Sequence, residues 1–551
     1  SRSLGGGGGR GGGSSSAASS PEIESRRAAV KGAMQHAWDS YERYAWGHDE
    51  LDTIKLRGTD DFSSLGATIV DSLDTLWIMG MREEFDRAAD WVETELNFEP
   101  HVGKTSFFET NIRIVGGLLG AYYLSGDRMF LGRAKELADR LLPAFDNGPT
   151  VLAFDNNIDI TTGEHDGVEK ILAHWGTIQM EFLALSRETG DAKYWDLANA
   201  PIEALWDDDK ETGLLPTVYN PGWKDRLAQD KSLMGEFPGN HFTMGGEADS
   251  YYEYLIKTWL LAGGSEDLAH FRGLYDNSVD MMDTVLVARP KKEEAGNDRK
   301  KKYTFLGTTY IYRINDNLSE EKKEQYRRPI EPGRLSIHLP YESSAPNALR
   351  AEMQHLDCFV PGMLVLGAPH SDRAERDLQL AADLTETCYA MYDTPSGLAP
   401  ENTFFDTKTG RKKDVRDGFN ILRPEAVEAI FYLWRSTGDP KYRDWGWEIF
   451  QAFERNSRMP DGGYAGLRNV SRTDQLGNHR NKMESFFMAE TLKYLYLLFS
   501  PDDVMPLHEW VFNTEAHPFM TSPQPRGGPP EPQPFELTQK RLWETIKARR
   551  R

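Results

Sequence analysis

Cysteine is almost missing from this chain: 551 residues carry only Cys358 and Cys388. Two cysteines cannot build a disulfide-dense scaffold or a thiolate metal centre, which need several at close spacing. The pair fits two buried thiols or one bridge. A bridge would close a step of 30 residues and contribute about 3–4 kcal/mol in the chain-entropy model. Basic charge is also short. Lys and Arg number 64 against 86 Asp and Glu, a net −22, which excludes a bulk electrostatic grip on nucleic acid or anionic lipid. A neutral or cationic ligand, or a metal ion, suits that charge. No apolar run approaches the roughly 18 residues of a membrane-spanning helix; the longest, YLYLLF, runs from Tyr494 to Phe499.

Several catalytic signatures are absent as well. His508-Glu509 begins like a zinc-protease motif, but Phe512 stands where the second histidine belongs. The glycine-rich start matches G-x-G-x-x-G only trivially, because no strand precedes it. His355 near Cys358 could form a Cys–His pair only if that thiol is free. The chain opens on Ser1, not Met, and is expected to be a trimmed or mature form whose signal peptide or anchor would lie upstream.

Residues 1–20 are Gly/Ser-rich and read as a flexible stem or linker, while 521–551 form a proline-rich and then basic tail. The charged run Lys291 to Lys302 is a solvated loop insertion. Sequons at Asn317 and Asn469 hint at a secretory route. With hydrophobic residues at 39%, the stretch between the two ends can bury a large core.

That stretch is helical and repetitive. An apolar helix runs into a short turn and a second helix follows, at turns near Gly80, Gly126, Gly190, Gly264, Gly367 and Gly438, and a seventh turn lies near Ser500. The seventh lacks a following helix, but an unpaired amphipathic helix spans about Ile23 to Trp46. Docking the first helix beside the last gives fourteen helices in seven pairs. Hairpin repeats that bury one face each either stack or close, and this pairing predicts closure: an all-α (α/α)7 barrel over residues 21–520. Segments 214–219, 303–311 and 397–405 are expected to be hairpins and loops between units.

In such a ring the inner helices run the same way and their N-termini converge. Glu109 in FFETNIR, Asp249 in ADSYYEYL and Glu425 in LRPEAVEAI each sit in or near a first turn, and Glu401 lies in GLAPEN before another unit. NKMESFFMAETL adds Glu484 and Glu490. Singly, each is an ordinary helix-dipole carboxylate, and Glu109 with Arg113 is a plain i, i+4 pair. Together, acids from separate units ring one pocket. That arrangement is costly unless it binds a cation, holds a proton or faces sugar hydroxyls. Paired carboxylates, one protonated and one ionised, are what glycoside hydrolysis requires. Phe107, Phe108, Tyr251, Tyr252, Phe486 and Phe487 lie nearby in sequence; most are expected in the core, and some could stack on sugars.

The motifs IVDSLDTLWIMG, FFETNIRIVGGLLGAYYLSGD, DSYYEYLIKTWLLAG, HLDCFVPGMLVLG, ILRPEAVEAIFYLWRSTGDP, KMESFFMAETLKYLYLLFS and VFNTEAHP, in this order, resemble the class I α-1,2-mannosidases, glycoside hydrolase family 47. The resemblance runs from about Trp38 to Phe519. It implies the same barrel, a bound calcium ion, and an inverting hydrolase trimming terminal α-1,2-linked mannose from high-mannose N-glycans. It makes Glu109 the general acid, Glu425 the base, and Asp249 and Glu401 further acids of the site. Thr514 would hold calcium through its hydroxyl and carbonyl oxygens. Arg113, His355, Arg423, Glu428, Phe486, Glu490 and Glu515 would line the sugar pocket, and Cys358 and Cys388 would be bridged.

One position departs from the pattern. Two residues before Asp249, endoplasmic-reticulum members carry an arginine and animal Golgi members a leucine, whereas this chain has Glu247. An acid cannot make the arginine's branch-reading contacts. The expectation is therefore a monomeric Golgi-type enzyme taking nine-mannose glycans toward five, its stem once joined to a type II membrane anchor; the endoplasmic reticulum is the alternative. Two other readings stand beside it: a mannose-binding quality-control factor of the same fold with little hydrolysis, and a barrel glycosidase with another substrate.

Overall fold

The computed structural model describes residues 20–521 except 63, 100–102, 147–153, 168–169, 210–212, 220–240, 290–300, 311–348, 407–408, 414, 416–417 and 475–476. The stem, the tail, the sequon at Asn317 and most of the 291–302 run lie outside the described residues.

Among the described residues, seven helices make an inner ring: Ala67–Ile78, Gly116–Ser125, Gln179–Thr189, Asp249–Leu261, Val360–Gly367, Glu425–Thr437 and Leu492–Leu498. Each packs on the next, and the turn Phe487–Thr491 leading into the seventh packs back on the first. Outer helices Arg82–Thr94, Arg128–Leu141, Lys193–Asp209, Ala269–Val285, Ala374–Met391 and Lys441–Asn456 each follow an inner helix and pack against it. The seventh outer place is taken by Pro21–Tyr44, packed on Leu492–Leu498. The fold is the predicted (α/α)7 barrel, closed by its first helix docking on its last.

Composition sorts the two rings. Every residue of Val360–Gly367 is buried, as expected for a helix apolar all round. Arg82–Thr94 buries only Phe85, Ala88 and Val92, the narrow stripe of a surface helix. The turns at Gly126, Gly190 and Gly438 end an inner helix on a left-handed residue, which glycine adopts without a Cβ clash. Gly367 differs. Its φ is −78°, so it is no left-handed cap. A Cβ there would lie 2.1 Å from the Tyr275 hydroxyl oxygen, so glycine is required for close packing of the neighbouring helix.

Strands are short and pair across units. Phe305–Leu306 pairs with Val287–Ala288, Thr309–Tyr310 with His241–Phe242, and Asn402–Phe404 with Glu352–Gln354. The segments 303–311 and 397–405, expected as hairpins and loops between units, carry these strands, and 214–219 meets Ile171 through a bridge at Val218. Cys358 and Cys388 form a disulfide, tying the start of an inner helix to its outer partner.

A last hairpin, Trp510–Phe512 with Pro518–Met520, carries residues 513–517 on its tip and packs on the inner helices Gly116–Ser125 and Asp249–Leu261. The Gly-Gly-Leu-Leu-Gly run opposite it is the receiving groove. A Cβ at Gly116 would meet the Asn513 amide nitrogen at 2.6 Å, and one at Gly120 would meet Asp74 Oδ2 at 2.9 Å. Two inner helices begin with π-helical turns, Thr110–Val115 and Phe487–Thr491, a local widening often found at functional sites.

Candidate active site

On one side of the barrel mouth the site is built around Glu425. It is the first residue of its helix, with Pro424 at the cap. Its Oε2 lies 2.9 Å from His355 Nδ1, and His355 Nε2 lies 3.0 Å from the Tyr392 hydroxyl. These partners assign the tautomer: Nδ1 donates to the carboxylate and Nε2 accepts from the phenol. Arg423 donates from Nε to Glu401 Oε2 at 2.6 Å, with Nη1 3.7 Å from Glu425 Oε1. Burial pushes the Glu425 carboxyl up, but the His355 hydrogen bond and the Arg423 charge outweigh it and hold the group below its usual range. Glu425 is thus ionised.

Asp249 has the opposite bias. Burial, then the charges of Glu253 and Glu425, push it up to about 7 against the opposing hydrogen bond from the Ser250 amide. Below about pH 7 one ionised and one protonated carboxyl share the mouth.

The far side is organised by Arg113, in the first π-helical turn. It donates from Nε to Glu109 at 2.8 Å and from Nη1 to Glu515 and to the Ser485 hydroxyl at 3.3 Å. Its guanidinium sits 5.0 Å from the Phe62 ring centre and 5.8 Å from that of Phe486; Arg423 approaches Phe486 from the other side at 5.9 Å. Phe486 thereby joins the two arginine clusters. Phe108, beside Glu109, packs on His174 at 5.3 Å, and burial drives that imidazole down to about 4, so it is neutral.

Deeper in, Glu490 is buried within the second π-helical turn. Burial first, then the charges of Glu515, Glu425 and Glu428, push it well above the ordinary glutamate range. Burial likewise raises Glu428 despite Lys257 at 3.5 Å, and Glu515 despite Arg113. Thr514, on the hairpin tip, is half-buried, its amide nitrogen 3.5 Å from the Tyr254 hydroxyl. Among the described residues no group of three His, Cys, Asp or Glu side chains forms a ready-made metal cage. The donor set fits a hard cation differently: threonine oxygens, with water or substrate hydroxyls completing the shell, amid carboxyls whose mutual repulsion a cation would relieve.

The structure brings together Glu109, Asp249, Glu401, Glu425, Arg113, His355, Arg423, Glu428, Phe486, Glu490 and Glu515 through these bonds and charges. Glu247 is exposed two residues from Asp249, in a left-handed conformation with φ of 73°. Glu484 joins a different cluster, 3.0 Å from Lys482, which also pairs with Glu50. Phe107, Tyr251, Tyr252 and Phe487 are core residues. His508 Nε2 lies 3.4 Å from its neighbour Glu509.

Sequence reasoning missed a buried support layer. Lys257 pairs with Glu253 and Glu428. Lys493, Asp74, His517 and Asp71 form a chain with no exposed side chain. The signal was present as charged residues on helices that are otherwise apolar all round.

Comparison with known proteins places this geometry. The model of glycosyl hydrolase family 47 matches residues 33–521. The mannosyl-oligosaccharide 1,2-alpha-mannosidase MNS1 of Arabidopsis thaliana is 44% identical over 507 residues, covering 90% of this chain and 79% of the relative. Mannosyl-oligosaccharide 1,2-alpha-mannosidase IB of Mus musculus is 39% identical over 511 residues, covering 90% and 70%. A solved alpha-1,2-mannosidase from Trichoderma reesei superposes with a TM-score of 0.73 at 26% identity, covering 91% of this chain and 99% of the other.

Proposed function

Because the chain belongs to glycosyl hydrolase family 47, we propose that it is a mannosyl-oligosaccharide α-1,2-mannosidase, hydrolysing terminal α-1,2-linked mannose from high-mannose N-glycans. The observation that carries the chemistry is the pair Asp249 and Glu425, one keeping its proton up to about pH 7 and the other held ionised by His355 and Arg423. Inverting hydrolysis needs these two states on opposite sides of the scissile bond.

Glu425 is the base. His355 and Arg423 keep it charged and fix its direction, and it takes a proton from the attacking water. Asp249 is the carboxyl that retains a proton to give to the leaving oxygen. The family resemblance gives the donor's role to Glu109. Glu109 is ion-paired to Arg113, so we assign it, with Arg113 and Phe486, to holding the sugar. Glu401 steadies Arg423. Calcium is the cation the floor suits: Thr514 would hold it, beside the acids Glu428, Glu490 and Glu515, and when bound it would supply a Lewis acid for mannose hydroxyls. Glu247, at the mouth with no positive charge to read one branch, supports removal of several mannoses, from nine toward five, as in Golgi-type processing.

The test is digestion of a nine-mannose N-glycan with calcium and with a chelator, followed by product chromatography. Calcium-dependent loss of up to four mannoses is expected. Arrest after one would overturn the Golgi-type assignment. Binding without release would leave a lectin-like protein.

A further inference from the structure

His517 lies beneath the site, on the hairpin that closes the barrel floor. Its side chain is completely buried, as are those of Asp71, Asp74 and Lys493. Nδ1 is 2.7 Å from Asp74 Oδ2, and Nε2 is 3.3 Å from Asp71 Oδ1. A neutral imidazole has one N–H and would turn a lone pair on one of these carboxylates. Lys493 reaches Asp74 Oδ1 at 2.8 Å and donates to the Ala516 carbonyl at 2.6 Å. The Thr75 hydroxyl also donates to Asp74, at 3.4 Å.

Asp71 has a second face. While Oδ1 meets His517, Oδ2 accepts from the Ser485 hydroxyl and lies 3.6 Å from Arg113 Nη1. The same Ser485 oxygen is 3.3 Å from Arg113 Nη1. Charges alternate along the line: Lys493, Asp74, His517, Asp71, Arg113, then Glu109 and Glu515. The tip that carries His517 is firmly held. Asn513 Oδ1 accepts from the amides of Glu515 and His517, at 2.9 and 2.8 Å, and Asn513 Nδ2 donates to Glu181 at 2.8 Å. Ala516 is kept left-handed at φ 60°, a strain of about 1–3 kcal/mol that the surrounding contacts must offset.

We propose that His517 is a positioning residue: an imidazolium clamped between Asp71 and Asp74 that fixes Asp71, and through it Arg113, so that the C-terminal hairpin sets the alignment of Glu109 at the mouth. Removing its charge leaves Asp71 held at Oδ2 alone, by Ser485, and loosens the anchor it gives Arg113. The activity part of the test rests on the mannosidase reading; the protonation part does not.

The experiment uses the full chain with ¹⁵N-labelled histidine, the His517 signals being assigned by their loss in His517→Gln. Two protonated ring nitrogens from pH 6 to 8 are expected; a neutral ring at pH 7 overturns the proposal. On a disaccharide of α-1,2-linked mannose, His517→Gln should lower kcat/KM about tenfold or more, as loss of a supporting partner commonly does. In an Asp71→Asn background the same substitution should change it less than twofold. Effects that multiply would mean that His517 only stabilises the fold, and so would overturn the proposal. If His517→Gln does not fold, Ser485→Ala replaces it, breaking the Asp71-to-Arg113 link without touching the hairpin; unchanged kcat/KM would then reject the idea. Should the wild type release no mannose, the functional reading falls. His517 is then judged on its nitrogen signals and on methyl α-mannoside affinity in the same variants.

Discussion

At the scale of single residues, the site separates chemically similar groups by their surroundings. Glu425 and Asp249 are both carboxyls at helix starts, yet His355 and Arg423 serve one and burial beside other acids governs the other. The rate should therefore rise from acid pH as Glu425 ionises and fall as pH climbs through about 7, where Asp249 loses its proton. A kcat/KM profile that stays flat from pH 6 to 8.5 would remove Asp249 from the donor's role. Glu425→Gln keeps the volume and loses the charge, and should cost about 10²–10⁴ in kcat, the range of a general base, with glycan affinity retained by calorimetry. The carboxylates were legible in sequence because their helix starts converge in a closed ring. The protonation of each was not, since it depends on neighbours up to 176 residues away, as for Asp249 and Glu425.

At the scale of elements, the alternation of apolar and mixed helices announced the barrel before any coordinates, down to the docking of Pro21–Tyr44 on Leu492–Leu498. The turn near Gly367 lies where the sequence predicts it, between Val360–Gly367 and Ala374–Met391, but the glycine itself serves packing, because sequence shows that a side chain is missing but not what occupies its space. The same ambiguity hid the groove for the hairpin. Gly117, between two glycines of that groove, faces the neighbouring inner helix instead: a Cβ on it would stand 2.7 Å from the Val70 carbonyl oxygen. Backbone of a neighbouring helix cannot give way cheaply, so Gly117→Ala should destabilise by about 1–3 kcal/mol, read as a lower denaturant midpoint at unchanged slope. The π-helical turns, which carry Arg113 and Glu490, were invisible too.

Across the whole molecule, buried ionisable groups tie stability to pH. His517 is lowered by burial but raised more by Asp74 and Asp71, to about 9, against about 6.5 unfolded. Its contribution is complete below pH 6.5 and is lost as pH rises toward 9. Glu181 and Asp357, raised to about 7 by burial, act in the same sense, stabilising fully below their unfolded values and less as pH climbs. Asp74, held low by Lys493 and His517 against its burial, opposes them only in strong acid. The melting temperature without metal should therefore be higher at pH 5.5 than at 8. Calcium should raise it more at pH 8, where the floor's acids are most charged, and Thr514→Ala should abolish that gain; an equal gain in the variant would place the ion elsewhere.

The hairpin at residues 510–520 also has a meaning in time. A ribosome delivers the chain from its first residue, so the barrel wall can form before the segment that carries Thr514, Glu515 and His517 exists. Ring closure, by contrast, pairs the earliest helix with one of the latest. The wall's seal thus awaits Leu492–Leu498 and the floor's charge pattern awaits the hairpin after it, and a chain halted before Thr514 should be a folded shell without hydrolytic power. Of all the residues that build the site, those of the hairpin are made last.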